Sequence, residues 1–196
     1  RPPESLYTGG VQKERFANFI RLIEERMDIV PLSGPHDYRH LQMQAMERTY
    51  VWPLGKAADA FLADAIGRLC SNTNPHQESL TVHGRTLTFD LYDNCVGRFT
   101  FHDLCENTLG AADYLALAGR LDTLILTDIP KLPQEKRNEA KRFVTLIDAL
   151  YEHKVRLLIT AACPPEEIYA GGDGTFEFKR TVSRLKEMQS ANWLAS

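Results

Sequence analysis

The sequence predicts an α/β protein built from parallel βαβ units, amphipathic helices and a small antiparallel β-hairpin patch. Three observations carry that expectation. "LDTLILTDIP" (121–130) and "VRLLITAA" (155–162) are nearly continuous apolar runs of strand length. Strands without polar alternation are covered on both faces, as in a parallel sheet. Between them lies one long amphipathic stretch, "PQEKRNEAKRFVTLIDALYEHK" (133–154), and parallel neighbours need a crossover of that kind. Earlier in the chain, Val82, Leu87, Phe89 and Leu91 alternate with Thr, Arg and Asp around "HGR". That period of two is the pattern of a hairpin.

The elements follow in order. Residues 11–27 place Phe16, Phe19, Ile20, Ile23 and Met27 at the helical period, with Glu and Arg on the other face. "DIVPLSG" reads as a short buried strand ended by Gly34-Pro35, and "RTYVWP" as another strand. From Pro53 to Cys70 a helix is expected, with Phe61, Leu62, Ala65, Ile66 and Leu69 on one face. "SNTNPHQ" is a loop by composition. The hairpin follows, "VGRFTF" continues its antiparallel patch, and "HDLCEN" and "AADYLALAGR" read as short helices. On the long helix Ala140, Phe143, Val144, Ile147, Leu150 and Tyr151 share a face. "PPEEIY" opens a short helix, since proline suits a first turn. Residues 176–189 form the last one, turning Phe178, Val182, Leu185 and Met188 or Gln189 inward.

The totals limit the function classes. The 196 residues are 43% hydrophobic and 25% charged, with a net charge of −3. That balance offers no electrostatic case for nucleic acid or for an anionic membrane. No apolar run approaches the ~18 residues of a membrane span. Cys70, Cys95, Cys105 and Cys163 are scattered, with no CxxC spacing and no zinc-finger pattern. They read as reduced core cysteines of an intracellular protein.

One phrase occurs twice. "RPPESLYTGG" (1–10) and "CPPEEIYAGG" (163–172) share both prolines, the first acid, the tyrosine and both glycines. Each precedes an amphipathic helix, and "FIRLIEE" then aligns on "VSRLKEM" with one residue inserted. The second copy follows an apolar strand, and the strand before that ends in Asp128. The carboxyl end of a parallel strand is where α/β proteins place ligand-facing residues. Three apolar residues and a threonine leading to an acid echo the strand that holds Mg²⁺ in P-loop ATPases. Here Ile129 follows the acid, and no GxxxxGK[ST] loop occurs in the chain. The plainer reading is that Asp128 caps a buried strand. The first copy's strands are expected upstream, which makes the chain the C-terminal part of a longer protein.

Long strings in the sequence resemble the ZapE-like AAA+ ATPases, a family of bacterial cell-division ATPases and mitochondrial relatives. "RPPESLYTGGVQKERFANFIRLIEERMDIVPLSGPHDYR" looks like the segment after that family's sensor-one strand. "GRFTFHDLCENTLGAADYLALAGRLDTLILTDIPKL" resembles its middle segment. "NEAKRFVTLIDALYEHKVRLLITAACPPEEIY" and "FEFKRTVSRLKEMQS" resemble its closing ones. Thr49 to Asn94 is less distinctive. The resemblance implies a Mg²⁺-dependent ATP hydrolase that assembles into a ring-like homo-oligomer and acts on protein clients. It implies association with the division machinery near the inner membrane for bacterial members, which are cytoplasmic, and protein quality control for mitochondrial ones. The family's phosphate loop and its Asp-Glu strand are not in this sequence. The chain alone is therefore expected to bind neither ATP nor Mg²⁺ and to hydrolyse nothing. Three parts are expected: 1–70, the remainder of the AAA+ core with lid-like helices; 71–101, a hairpin connection; and 102–196, a βαβ module that reads as a degenerate copy of the ATPase core.

The resemblance also implies roles for arginines. Rings of this kind place an arginine of one subunit near the γ-phosphate of its neighbour, a task suited to a planar, permanently charged, bidentate donor. Arg15 fits by sequence order as that finger, with Arg21 and Arg26 on the same helix. Arg39, Arg180 and Arg184 are the lid or sensor candidates that would reach the nucleotide in cis. Arg15 has a plainer reading as a solvated helix arginine paired with a glutamate, Arg184 one as a structural ion pair, and Arg137 and Arg142 read as solvated-face residues of the long helix. "HDYRH" (36–40) echoes the HExxH zinc motif, with Asp37 where the general base belongs. With no third ligand in view, an exposed turn is the reading taken. Tyr7 and Tyr169 read as turn packing beside Pro-Pro. The alternative function is a non-catalytic protein-interaction module.

Overall fold

The structure, a computed structural model, describes residues 42–43, 46, 48–169, 171, 174–190 and 193. The helix expected at 11–27, the strand at 28–34, "HDYRH", Tyr7 and the first copy of the repeated phrase lie outside the described residues. So do Arg15, Arg21, Arg26 and Arg39.

Six strands form one mixed sheet in the order β1-β6-β5-β4-β3-β2. β1 is Tyr50–Val51, β2 His76–Val82, β3 Arg85–Tyr92, β4 Val96–Thr100, β5 Thr123–Ile129 and β6 Arg156–Ala161. The helices are α1 (Lys56–Leu69), α2 (Ala111–Arg120), α3 (Arg137–Glu152) and α4 (Thr175–Met188). β1, β6, β5 and β4 run parallel, whereas β4, β3 and β2 pair antiparallel. The expected α/β class, with a βαβ unit and a hairpin, is therefore the observed one. β4 is the strand that joins the two regimes. It continues the hairpin, as its sequence suggests, and on its other edge pairs Val96–Thr100 in parallel with Thr123–Thr127.

Local chemistry explains the turns. His83 and Gly84 both have positive φ at the hairpin tip, the geometry that matches strand twist in a two-residue turn. Asp93 and Asn94 adopt positive φ between β3 and β4, a conformation these side chains tolerate. The Asp93 carboxylate also accepts from the Ser71 and Asn72 amides at 2.6 and 3.3 Å, which ties the end of α1 to that turn. Gly97 is required by close approach: a Cβ there would stand 2.7 Å from Leu121 Cδ1 and 2.9 Å from Phe99 Cε2.

The core matches the periodicity. On α3, Ala140, Phe143, Val144, Ile147 and Leu150 are buried, and Tyr151 is half-buried. On α4, Phe178, Leu185 and Met188 are buried, joined by Thr181. The "HDLCEN" segment forms a π-helical turn, His102–Glu106, that buries Leu104 and Cys105. Cys70, Cys95, Cys105 and Cys163 are all free and buried. Tyr50 closes the β1 edge by donating to the Cys163 carbonyl at 2.9 Å, and Tyr114 donates to the Leu104 carbonyl at 2.7 Å.

Both phenols have a pKa pushed well above the ordinary value of 10, first by burial and then by nearby groups that are anionic when ionised. The folded state thus prefers the protonated phenol. The stability this provides is complete below pH 10 and is lost as pH rises from there toward the folded pKa. The urea midpoint is expected to hold from pH 7 to 9 and fall above pH 10. Tyr50→Phe, which keeps the ring and has no proton to lose, should flatten part of that fall. A midpoint unchanged up to pH 11 would contradict this account.

Candidate functional site at the carboxyl edge of the sheet

The parallel strands β4, β5 and β6 bring a threonine each to one edge. At the end of β4, the Thr100 hydroxyl and amide donate to Asp103 Oδ2 at 2.7 and 2.8 Å, and the Asp103 amide returns to Thr100 Oγ1 at 3.1 Å. This reciprocal box starts the π-helical turn, and "TFHD" carries its signature of Ser/Thr followed three residues later by an acid. On β5 the Thr127 hydroxyl donates to Asp128 Oδ2 at 2.7 Å. The Asp128 amide donates to Thr160 Oγ1 of β6 at 3.3 Å.

Asp128 stands out by its backbone. Its φ is +62°, and the β5–β6 register shifts between Leu126 and Ile129. The bulge turns the acid out of the sheet, so it is exposed between two buried neighbours, Thr127 and Ile129. A non-glycine residue held in this region costs of order 1 kcal/mol and needs surrounding bonds to maintain it. Here Thr127 and Thr160 supply those bonds. The result is one exposed carboxylate fixed at a strand end, able to accept hydrogen bonds from a ligand or bound water. Among the described residues no three His, Cys, Asp or Glu side chains gather to hold a metal ion.

The lid candidates on α4 share one partner. Arg180 Nη2 lies 2.7 Å from Asp148 Oδ2, and Arg184 binds Oδ1 of the same carboxylate. Arg184 also lies over the Tyr151 ring, 4.6 Å from its centroid. Tyr151 stacks on Trp193 at 4.5 Å and 22°, and Lys154 Nζ sits 3.8 Å above Trp193. Four side chains thus alternate cation, ring, ring, cation across α3, α4 and the C-terminal residues, each layer worth about 1 kcal/mol. The two arginines differ in reach: the Arg184 side chain is 20% exposed, whereas that of Arg180 is 58% exposed. Arg142 donates to the Cys105 carbonyl at 2.8 Å, and Arg137 opens α3 on the surface. Tyr169 is buried with its ring 5.6 Å from Phe178, the packing expected of the Pro-Pro turn.

Sequence reasoning did not single out the Thr100–Asp103 box or the Tyr151–Trp193 stack. The first has a readable spacing. The second joins residues far apart in the chain and has none.

The fold and its edge define an α/β protein with polar groups presented at the carboxyl ends of parallel strands. The chain belongs to the AFG1-like ATPase family, whose model matches residues 1–196. It is 34% identical over 227 aligned residues to an uncharacterized protein of Schizosaccharomyces pombe, covering 100% of this chain and 50% of that one. It is 32% identical over 195 residues to the cell division protein ZapE of Escherichia coli, covering 98% and 51%. It is 32% identical over 232 residues to lactation elevated protein 1 homolog B of Danio rerio, covering 100% and 46%. The chain spans about half the length of these curated relatives. No solved structure matches it. Among the described residues no helix is long and apolar enough to cross a membrane.

Proposed function

We propose that this chain is the C-terminal portion of a Mg²⁺-dependent ATP hydrolase of this family, and that it serves the ring rather than the phosphates. The observation that carries the reading is the family match along the whole chain together with a sequence that contains no GxxxxGK[ST] loop. ATP and Mg²⁺ are then held by the rest of the full-length protein. The described residues hold neither a phosphate cradle of that kind nor a group of three metal ligands, and no step of hydrolysis is routed through them. This portion contributes Arg15 as the inter-subunit finger, Arg39 and Arg180 as lid donors, and contacts between subunits of a ring-like homo-oligomer. Arg184, engaged by Asp148 and Tyr151, serves first to hold α4 on α3. The name of the Escherichia coli relative points to the division machinery as the client, with a cytoplasmic site of action in a bacterium or a mitochondrial one in a eukaryote.

The second reading is a protein-interaction module without activity of its own. The observation in its favour is the pairing of both α4 arginines with one acid of the same chain.

The test uses two inactive forms of the full-length protein. One carries Arg15→Ala; the other carries a substitution of the phosphate-loop lysine expected upstream. If Arg15 acts in trans, random mixed rings pair an intact loop with a neighbour's intact arginine, and equimolar mixing should restore about a quarter of the wild-type rate. A mixture as inactive as its components removes Arg15 from that role. A full-length wild-type protein that fails to hydrolyse ATP with Mg²⁺ overturns the first reading.

A further inference from the structure

A cavity of about 490 Å³ is lined jointly by α1, β3 and β4. Its lining includes Asp59, Leu62 and Ile66 of α1, Thr73 of the following loop, Tyr92 of β3 and Arg98 of β4. Its volume is that of an ordinary small-molecule site. Three of its polar groups are unused. Arg98 is exposed, and among the described residues its side chain makes no ion pair or hydrogen bond. Its cross-strand neighbour Asp90 is engaged instead by Gln77, which donates to Asp90 Oδ1 at 2.8 Å. Asp59, in the first turn of α1, has a side chain equally without a partner among the described residues. The Tyr92 ring is buried; among the described residues its hydroxyl makes no hydrogen bond, and the residue lines this cavity.

A guanidinium and a carboxylate thus line one cavity without forming a salt bridge to each other. Leu62 and Ile66 supply apolar lining, and Tyr92 and Thr73 bring hydroxyls as further polar groups. A simple anion satisfies Arg98 but faces Asp59, a like charge that opposes it. A cation has the opposite conflict. We propose that this cavity is a binding site for a small zwitterion of the α-amino-acid type. The ligand's carboxylate lies on Arg98, supported by Tyr92. Its ammonium lies toward Asp59, and its apolar side chain rests on Leu62 and Ile66. A bidentate guanidinium–carboxylate pair supplies orientation as well as affinity.

Isothermal titration of the full-length protein with L-leucine and L-phenylalanine tests the assignment. Saturable binding of at least one is expected, with N-acetyl-leucine, leucine methyl ester and inorganic phosphate each binding at least tenfold more weakly. Arg98→Gln should weaken leucine binding by tenfold or more, and Asp59→Asn and Tyr92→Phe should weaken it by smaller factors. None of these side chains has a hydrogen-bond or ion-pair partner among the described residues, so the variants should unfold at the wild-type urea midpoint. That control separates a lost ligand contact from a lost fold. The proposal is overturned if neither amino acid binds saturably, if Arg98→Gln binds leucine as tightly as wild type, or if the ester or phosphate binds as tightly as leucine itself.

Discussion

Phe143→Ala should cost the chain about 3–5 kcal/mol of stability, the range for emptying a fully buried aromatic site. Phe143 is 0% exposed and sits in the middle of a line of rings. Its centroid is 6.0 Å from Phe101 and 5.9 Å from Phe178, and Phe178 continues to Tyr169 at 5.6 Å. Its two direct partners come from the end of β4 and from α4, and Tyr169, in the turn after β6, is reached through Phe178. Removing the ring therefore loosens two elements from α3 at once and undercuts a third. Pair geometry adds to the area lost, since each tilted or offset ring contact is worth ~1 kcal/mol. A domain of this size has only about 5–15 kcal/mol in total, so the loss is a large fraction of it. Phe143→Leu keeps most of the volume and should cost clearly less, about 1–1.5 kcal/mol. Urea unfolding of the two variants measures both. A Phe143→Ala midpoint within error of wild type would mean that the ring line carries no weight.

That prediction rests on a residue whose role was readable before any coordinates. The apolar period of α3 and the two nearly continuous apolar runs on either side specify a buried helix between parallel strands, and all three formed. Period-two alternation from Val82 to Leu91 was equally legible, because one face of that hairpin is solvated and the pattern records it. β4 was harder. "VGRFTF" has the length and composition of either kind of strand, and it pairs antiparallel with β3 and parallel with β5. A single strand cannot announce two partners, since pairing direction is set by connections elsewhere.

The edge was legible only in part. Asp128 at the end of an apolar run is visible in the sequence, and its position at a strand's carboxyl end follows. The left-handed backbone that expels it from the sheet depends on the Thr127 and Thr160 hydroxyls, which come from two strands. For Arg180 and Arg184 the helical period places both on one side of α4. That they meet Asp148 of α3 depends on the α3–α4 packing, which no local pattern encodes. The same holds for Arg98: "VGRFTF" shows an arginine in a strand, while the lack of a partner appears only once Asp90 is seen bonded to Gln77.

Asp113→Ala should cost about 2–3 kcal/mol, through three bonds that one carboxylate organises. The Asp113 side chain is 5% exposed, and its Oδ2 lies 3.0 Å from Arg85 Nη2. The same oxygen accepts from the Gly110 amide at 2.8 Å, which satisfies the N-cap donor of α2 in the way the N3 acid of a capping box does. Arg85, at the first position of β3, reaches on to the Thr108 carbonyl at 3.0 Å. The acid therefore fastens the hairpin tip to the N-terminus of α2, and places negative charge at the positive end of that helix. Arg85 is half exposed, so solvent screens the pair, and the figure stays below the 3–5 kcal/mol typical of breaking a fully buried one. Asp113→Asn keeps an acceptor for Gly110 and loses the charge, so it should cost about 1 kcal/mol. Arg85→Ala leaves the buried carboxylate without its cation and should be nearly as damaging as Asp113→Ala. Because the two residues act on each other, the double variant should be more stable than the sum of the single losses predicts, by at least 0.5 kcal/mol. Strict additivity in urea unfolding of the four proteins would show that the hairpin and α2 are held together by something other than this pair.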